Sequence, residues 1–471
     1  MASILDTLTS ARGPESAGFL NDIVAHLWPN ICVAGGKMIK DIVEPMFESM
    51  LPGPLKSLHF EKIDLGLIPM RFDNVAVTKT DNGGIKLDLD LDWNGNCDIE
   101  LNGNMIPKIG VEHVKLRGRL SVLLCPLTNI IPLIGAAQVS FIDQPYLKLS
   151  WTDGAHIANL GIIDSTIRKV IHTIMAGMVV LPNRFLVKLD STSDWFKTYQ
   201  PQLGMLKLTI QGATDMGEEL KSKNIFKKLI HDVPDCYAKV NLGAQEFKTQ
   251  TVKNNHHPEW NETQDFWVSD TDQTIEVDIK DDDTASDDDI GIATTTVKAL
   301  LLAGGQQELG LTHKGEATNG KIKISAKFYH LVADASSFSS PEAGVVGQLT
   351  VLVASALNID GKREQLKPSV KVTWGANSFR TPIKLDAPGQ DIQNPSFDQA
   401  YRVPIPSGTD MAGSGPVKLT LMDGETEKGS VDVSLQTVLE APNLTLEQEF
   451  SLNSGAKIRA ALILRGIKLS A

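Results

Sequence analysis

Residues 85–93 read Ile-Lys-Leu-Asp-Leu-Asp-Leu-Asp-Trp, with an apolar side chain at every odd position and a charged one at every even position. A period of two residues is typical of a β-strand that has one dry face and one wet face. The same alternation recurs over residues 114–124 and 147–151. These three stretches predict a sheet with one apolar face in the amino-terminal third of the chain.

Apolar residues at helical spacing flank this predicted sheet on both sides. Residues 17–50 and residues 163–174 each place Leu, Ile, Val or Met three and four positions apart, which predicts two helices. We expect Pro29 and the pair Gly35-Gly36 to break or bend the first helix, because proline lacks a backbone N–H and glycine weakens helices.

The length of 471 residues predicts about three domains. The formal net charge of −12 argues against nucleic acid as a partner. The four cysteines are far apart in sequence and show no paired spacing, which favours a reducing compartment over a disulfide framework or a zinc site. We see no signal peptide and no apolar run of the roughly 20 residues that a membrane span needs.

The remainder of the chain looks like an internal duplication. Residues 203–331 and 347–469 each begin and end with an alternating strand, and each carries a turn in which His-Pro or Asn-Pro precedes an aromatic residue. A stretch rich in Ser, Ala, Pro and Gly separates the two copies. Many short strands at this spacing predict two β-sandwiches.

The densest cluster of ionisable residues is the stretch 277–291, VDIKDDDTASDDDIG, which contains seven aspartates. Crowded carboxylates repel one another at neutral pH unless a cation bridges them. Calcium takes six to eight oxygen ligands, many of them carboxylates, in a flexible geometry. The alternative is that these aspartates form a solvated loop without a ligand, as acidic runs usually do.

The first copy resembles the C2 domain family in three separate motifs. Its acidic stretch matches that family's third calcium loop, PDCYAKVNLG resembles the stretch that ends the first calcium loop, and HPEWNE matches the family's Asn-Pro-x-Trp-Asn-Glu turn. The resemblance implies calcium as a cofactor. The residues that it implies as calcium ligands are Asp235, Asp281, Asp283, Asp288 and, at a position where the family has aspartate, Asn224.

The second copy departs from this pattern. Its third loop reads LMDGETEKGS and keeps only Asp423 of the aspartates, while Lys367 stands where the first copy has Asp235. We expect this sandwich to bind no calcium and to serve docking or structure.

A basic, amphipathic insertion, KSKNIFKKLIH, interrupts the first copy. Basic residues near an anionic leaflet contribute about 1 kcal/mol each to membrane binding, so the insertion predicts contact with anionic lipids. An ordinary surface helix is an equally good interpretation of the pattern. The basic residues concerned are Lys221, Lys223, Lys227 and Lys228.

The amino-terminal third is similar to the synaptotagmin-like mitochondrial-lipid-binding (SMP) domain in the segments ESAGFLNDIVAHLWPNI, LDLDLDWNG, GAAQVSFIDQPYLKLSW and MVVLPNRF. An SMP domain followed by two C2 domains resembles extended synaptotagmins, tricalbins and plant synaptotagmins. The resemblance implies an α+β fold in which a TULIP-like bent β-barrel with helices and an apolar lipid groove precedes two all-β sandwiches. We expect an SMP domain at 1–195, C2 domains at 203–331 and 347–471, and a linker at 332–346.

This resemblance implies a homodimer that carries glycerophospholipids between apposed membranes, on the cytosolic face of endoplasmic reticulum–plasma membrane contact sites. A carrier must cover acyl chains, because each methylene left in water costs about 0.8 kcal/mol. Alternation alone nominates a set of residues to line such a groove, although a residue in such a pattern is more often plain core than a ligand contact. These residues are Leu87, Leu89, Leu91, Leu120, Val122 and Leu149.

Catalysis is not predicted, because the sequence has no G-x-S-x-G elbow, no H-E-x-x-H pair, no P-loop and no dinucleotide fingerprint. The competing hypothesis to lipid transfer is a calcium-dependent membrane tether or trafficking adaptor whose first domain only dimerises. Phospholipid that remains bound to the purified protein would distinguish the carrier from the tether.

Overall fold

The chain was analysed as a computed structural model. It describes residues 17–51, 53–80, 83–104, 106–152, 160–190, 194–217, 233–282, 287–339, 344–386, 391–411 and 413–470. The chain divides into two compact units, the first comprising residues 1–193, 210–261 and 269–323, the second residues 194–209, 262–268 and 324–471.

Helices are few among the described residues, and strands dominate both units. The helices are α1 (Gly18–Met50), α2 (Leu160–Val179), α3 (Val297–Leu302) and α4 (Leu435–Glu440). The strands before residue 200 are β1 (His59–Asp64), β2 (Arg71–Lys79), β3 (Ile85–Gly103), β4 (Ile106–Leu124), β5 (Ala136–Phe141), β6 (Tyr146–Trp151) and β7 (Phe185–Lys188).

Strands β3 and β4 form the backbone of a seven-stranded sheet in the first unit. Each is 19 residues long, which corresponds to about 60 Å of extended chain at ~3.3 Å per residue. The sheet has the order β1-β3-β4-β5-β7, with β2 also paired to β3 and β6 to β4. The alternation of residues 85–93 therefore predicted the longest strand pair of the fold.

Helix α1 runs without a break from Gly18 to Met50, so the expected break at Pro29 or at Gly35-Gly36 was wrong. The glycines have a packing role instead. A Cβ at Gly36 would lie 3.4–3.5 Å from the side chain and carbonyl oxygen of Ile63, and one at Gly35 would lie 3.6 Å from Leu65 Cδ1. Because glycine has no side chain, the helix can pack closely against Ile63 of β1 and Leu65 just after it. This close packing compensates for the weak helix propensity of glycine.

Three apolar clusters follow one another along the dry face of β3 and β4, and both helices cover them. In the first cluster, Phe47 and Ile174 of the helices pack with Leu101 and Ile109 of the strands. In the second, Trp28 of α1 packs with Trp93 of β3. In the third, Leu20 and Met175 of the helices pack against the buried strand residues. The face that alternation predicted to be dry is therefore an apolar strip that extends over most of the sheet. No helix among the described residues has both the length and the apolarity required to cross a bilayer.

The first sandwich contains a run of five strands in the order β10-β9-β12-β13-β14, and β8 pairs with both β11 and β15. Strand β9 buries Cys236, Tyr237, Ala238, Val240 and Leu242. Its strands are β8 (Gly204–Thr214), β9 (Cys236–Leu242), β10 (Gln245–Lys248), β11 (Glu259–Val268), β12 (Thr274–Asp281), β13 (Asp288–Thr296), β14 (Gln306–His313) and β15 (Glu316–Val332).

The second sandwich lies in the second unit. One sheet has the order β18-β17-β20-β21, and strand β16 pairs with β19 and β23, which in turn pairs with β22. One large apolar cluster fills the space between them. Its strands are β16 (Val345–Leu357), β17 (Pro368–Trp374), β18 (Asn377–Arg380), β19 (Ser396–Pro406), β20 (Val417–Asp423), β21 (Thr426–Val433), β22 (Thr445–Ser451) and β23 (Lys457–Leu469).

Candidate functional site

The six residues that alternation nominated as groove lining all lie on the apolar strip. Leu89 is opposite Leu120 and Leu87 is opposite Val122 in the β3–β4 ladder, so these four side chains share one face. Leu89 and Leu120 are buried, whereas Leu87 and Val122 are half-buried. The strip is therefore less covered toward the end of the ladder at which Leu87 and Val122 lie.

The six residues do not form one cluster. Leu149 on β6 packs in the middle cluster with Trp28 and Trp93, while the other five belong to the cluster that contains Phe141 and Val180. That cluster is bordered by half-buried apolar side chains, which a lipid could contact. The border residues are Leu20, Met70, Phe72, Leu87, Leu116, Val122, Val139, Met175 and Val179.

The opposite face of the ladder is held by ion pairs. Arg117 Nη2 lies 2.8 Å from Asp92 Oδ2, and Arg119 Nη1 lies 3.8 Å from Asp90 Oδ1. These charged pairs remain in water while the leucines beside them turn inward, as the period of two requires.

The helices also supply residues to the apolar strip, and strand alternation could not identify these residues. Trp28 in α1 is 3% exposed, contacts Trp93 edge-on with ring centroids 5.7 Å apart, and donates its indole N–H to the Gly66 carbonyl over 2.9 Å. The helical spacing of residues 17–50 could have placed Trp28 on the apolar face of the helix. The sequence could not show that Trp93 on β3 is its partner.

The predicted calcium ligands that the structure describes meet at one end of the first sandwich. In the strand ladders Asp281, the last residue of β12, stands opposite Cys236 of β9 and opposite Asp288 of β13. Asp235 directly precedes Cys236. Three carboxylates from separate parts of the sequence are thereby placed at neighbouring strand ends.

Backbone hydrogen bonds orient two of these carboxylates. Asp281 Oδ1 accepts the N–H of Asp235 over 2.8 Å, and Asp235 Oδ1 accepts the N–H of Asn254 over 2.8 Å. The carbonyl of Asp235 accepts the N–H of Asp282 over 2.9 Å. A carboxylate has about four acceptor sites, so this orientation is compatible with metal coordination, and the donor set of hard oxygens suits calcium.

The other aspartates of the stretch 277–291 have protein partners, which sequence reasoning did not foresee. Lys280 Nζ contacts Asp289 and lies 3.2 Å from Asp278 Oδ2. Tyr237 donates its hydroxyl to Asp287 over 2.6 Å. The seven aspartates therefore separate into candidate ligands and residues neutralised or hydrogen-bonded within the fold.

The electrostatics of this end follow from burial next to negative charge. Burial, followed by the charges of Asp281 and Asp235, raises the pKa of the Cys236 thiol to about 12. Burial and the hydrogen bond to Asp287 raise the pKa of Tyr237 to about 12. Both groups therefore remain neutral at physiological pH and add no charge to this end of the sandwich.

Some predicted site residues lie outside the described residues: the ligand candidates Asn224 and Asp283, and the basic residues Lys221, Lys223, Lys227 and Lys228. Within the described part of the chain, no three histidine, cysteine or acidic side chains are arranged to hold a metal ion. The strand register places Asp235, Asp281 and Asp288 at the neighbouring ends of β9, β12 and β13. Their role as calcium ligands stays a prediction.

The equivalent end of the second sandwich has the same backbone arrangement and different charges. Asp423 Oδ1 accepts the N–H of Lys367 over 2.7 Å, and the Lys367 carbonyl accepts the N–H of Gly424 over 2.9 Å. Lys428 Nζ lies 3.5 Å from Asp423 Oδ2, and Glu425 pairs with Arg380 over 2.8 Å. Each carboxylate among these residues has a cationic neighbour.

Comparisons with known proteins agree with both regions. Residues 13–190 match the family described as the synaptotagmin-like mitochondrial-lipid-binding domain, and residues 204–312 and 347–451 match the C2 domain family. The chain is 27% identical to extended synaptotagmin-3 of Xenopus tropicalis over 97% of its own length and 53% of that protein's. It is 27% identical to extended synaptotagmin-2 of Mus musculus, over 95% of its own length and 54% of the relative's.

Among solved structures, the SMP–C2A–C2B region of extended synaptotagmin 2 superimposes with a TM-score of 0.66 at 24% identity, covering 97% of this chain and all of that one. This likeness supports the fold: an SMP region with few helices followed by β-rich C2 domains. The chain spans about half the length of the curated relatives described above.

Proposed function

We propose, because the chain belongs to the extended synaptotagmin family, that it binds glycerophospholipids on the apolar strip of its SMP region and transfers them between apposed membranes. We place this activity at contact sites between the endoplasmic reticulum and the plasma membrane, with two SMP regions joined in a homodimer. The role is carriage, with no catalytic step.

The observation that carries the proposal is the strip itself. Apolar side chains follow one another on one face of two 19-residue strands, and many at its border are half-buried. Two acyl chains of about sixteen carbons expose well over 20 kcal/mol of apolar surface at ~0.8 kcal/mol per methylene. Only a long apolar surface offsets that cost, and a ladder of about 60 Å has the required length.

Calcium-dependent docking through the first sandwich is the second part of the proposal. Asp235, Asp281 and Asp288 would hold the ion together with Asp283 and Asn224. Bound calcium would supply positive charge at the end of the sandwich, where it can attract anionic headgroups despite the chain's net charge of −12. Lys221, Lys223, Lys227 and Lys228 would add local attraction to the same anionic surface.

Lipid carriage is tested by native mass spectrometry of the purified full chain. We expect a mass increment of one or more phospholipids, and we expect Leu89→Trp or Val122→Trp to reduce it because a larger side chain fills the strip. Arg119→Trp is the matched control, since it adds the same ring to the adjacent wet face. A parent protein without lipid, or equal occupancy in all folded variants, refutes carriage and favours the tether hypothesis.

Docking is tested separately by vesicle flotation with anionic phospholipids, with and without calcium. We expect the double variant Asp281→Asn with Asp283→Asn to lose calcium-stimulated flotation, because asparagine preserves shape and removes the charge. Asp423→Asn in the second sandwich is the matched control and should leave the stimulation intact. Unchanged calcium dependence in the double variant would remove the first sandwich from the proposal.

A further inference from the structure

The loop that joins β4 to β5 exposes four aliphatic side chains between residues 127 and 133. Leu127 is 45% exposed, Ile130 68%, Ile131 89% and Leu133 55%. Soluble proteins leave single aliphatic residues exposed, but a contiguous group indicates a surface that contacts something apolar.

No charged residue occurs between Arg119 and Asp143, an interval that includes the whole loop. The Thr128 hydroxyl donates to the Ile130 carbonyl over 3.0 Å, so this polar side chain is satisfied within the loop. A surface that binds a charged partner would present charges here. Apart from Thr128 and the exposed Asn129, the loop residues from 126 to 134 are aliphatic residues or prolines, a composition suited to hydrocarbon.

The loop backbone also satisfies many of its own hydrogen bonds. Thr128 donates its N–H to the Leu133 carbonyl over 2.8 Å, and Leu133 donates to the Ile130 carbonyl over 2.6 Å. Gly135 donates to the Pro126 carbonyl over 2.8 Å, and neither Pro126 nor Pro132 has an N–H to satisfy. Unpaired backbone groups are the main cost of entering an apolar phase, and these bonds reduce that cost.

Leu133 has a backbone φ of 73°, in the left-handed region that favours glycine or asparagine. Leu133 is 55% exposed, so the fold buries less than half of this side chain. Burial within the fold therefore contributes little here, which fits a role in contact with an apolar environment.

The loop leaves β4 directly after Leu124, which pairs with Ile85 at the end of the β3–β4 ladder. Leu87 and Val122, two residues further along the ladder, are the half-buried members of the apolar strip. The uncharged loop thus projects from the end of the sheet at which the strip is less covered.

We propose that the segment Pro126–Ile134, the β4–β5 loop, inserts its aliphatic side chains into the apolar part of a phospholipid bilayer. The inference rests on the proposed lipid carriage: it names the part of the SMP region that contacts the membrane while a lipid enters or leaves the strip. A bilayer is favoured over a second copy of the chain or another protein because many backbone groups of the loop are hydrogen-bonded within the loop, which hydrocarbon requires and a protein interface does not.

The test uses the full chain with Ile131→Cys carrying an environment-sensitive fluorophore, in a Cys32→Ser background because the other three cysteines are buried. Phosphatidylcholine vesicles and a calcium chelator remove charge attraction and calcium docking. We expect a blue shift and quenching by lipids with quenchers at known acyl depth. The matched control is the same label at Leu302, an 80% exposed leucine on α3, which should show neither change.

A second, label-free variant combines Ile130→Asp with Ile131→Asp. Because two aliphatic side chains would no longer be buried in hydrocarbon, we expect vesicle partitioning to fall at least about tenfold, whereas Leu302→Asp should partition like the parent. Native mass spectrometry should show unchanged lipid occupancy, since the loop lies outside the strip.

An unquenched label at residue 131, or a double variant that partitions like the parent, would overturn the insertion. A double variant that changes the oligomeric state in sedimentation would also overturn it, by assigning the loop to contact between copies. A parent that inserts its loop but carries no lipid supports the insertion and refutes carriage, so the two proposals fail separately.

Discussion

The two sandwiches have the same backbone hydrogen bonds at one end and different charged side chains there. In the first, Asp281 accepts the N–H of Asp235; in the second, Asp423 accepts the N–H of Lys367, with donor–acceptor distances of 2.8 and 2.7 Å. The carbonyl of each donor residue then accepts an N–H from the residue after the aspartate, over 2.9 Å in both. The fold fixes where the aspartate points, and the neighbouring side chains decide what it can bind.

The difference has a direct electrostatic consequence. The second sandwich brings its own cations: Lys428 Nζ is 3.5 Å from Asp423, with 39% of the lysine side chain exposed. In the first sandwich Asp281 and Asp235 each accept a backbone N–H, and Asp288 stands opposite Asp281 in the strand ladder. We therefore expect only the first sandwich to need an external cation before it meets an anionic surface.

The largest expected effect comes from giving the first sandwich the charge of the second. In Asp235→Lys a positive charge replaces a candidate ligand, and unit charges about 4 Å apart interact by ~4 kcal/mol at an effective dielectric of about 20. We expect calcium affinity to fall at least about 100-fold, measured by calorimetry on the full chain.

The control for Asp235→Lys is Asp22→Lys, which makes the same charge change on an exposed position of α1. It should leave the calcium affinity within about twofold of the parent. If Asp235→Lys binds calcium like the parent, the position before β9 has no role in the cation site and the comparison between the sandwiches is broken.

A smaller effect is expected from the reverse exchange. Lys367→Asp combined with Lys428→Asp removes the cation beside Asp423 and the lysine that stands where the first sandwich has Asp235, and it adds two carboxylates. We expect weak calcium binding to appear, with a dissociation constant on the order of 10⁻³ M, in the range of sites that lack a full rigid ligand set.

This gain is measured in an Asp281→Asn, Asp283→Asn background, so that the first sandwich contributes no signal. The same background with Lys367 and Lys428 retained is the control and should show no calcium binding. Binding in that control would mean that the native second sandwich already holds the ion, contrary to the role assigned to Lys428.

Much of this architecture could be predicted from the sequence because period-two patterns are local. Residues 85–93 predicted the apolar and charged faces of β3, and the ladder pairs Leu89 with Leu120 as the alternation requires. The helix over residues 17–50 was also predicted. Its continuity through Gly35-Gly36 was not, because the compensating contact with Ile63 is made by a strand distant in sequence.

The candidate cation site was less predictable from residue patterns alone. The density of aspartates indicated a site, and the family resemblance selected Asp235, Asp281 and Asp288, which the strand register places at neighbouring ends. Which aspartates have protein partners could not be foreseen. That depends on Lys280 and Tyr237, whose side chains reach Asp289 and Asp287 only in the folded sandwich.

The smallest expected effect tests whether the shared scaffold is equivalent in the two sandwiches. Thr249 Oγ1 accepts the N–H of Ala238 and Thr381 Oγ1 accepts the N–H of Val370, each over 2.9 Å, and all four residues are buried. Valine preserves the shape of threonine but leaves the amide unpaired, which costs about 1–3 kcal/mol. Hydrogen exchange of peptides from β9 and β17 should show this loss in Thr249→Val and Thr381→Val alike, and calcium affinity should change little in either. If hydrogen-exchange protection fell in one sandwich only, the common hydrogen bonds would not support the two loop ends equally. The difference in charge would then no longer suffice to explain why only one sandwich is expected to bind calcium.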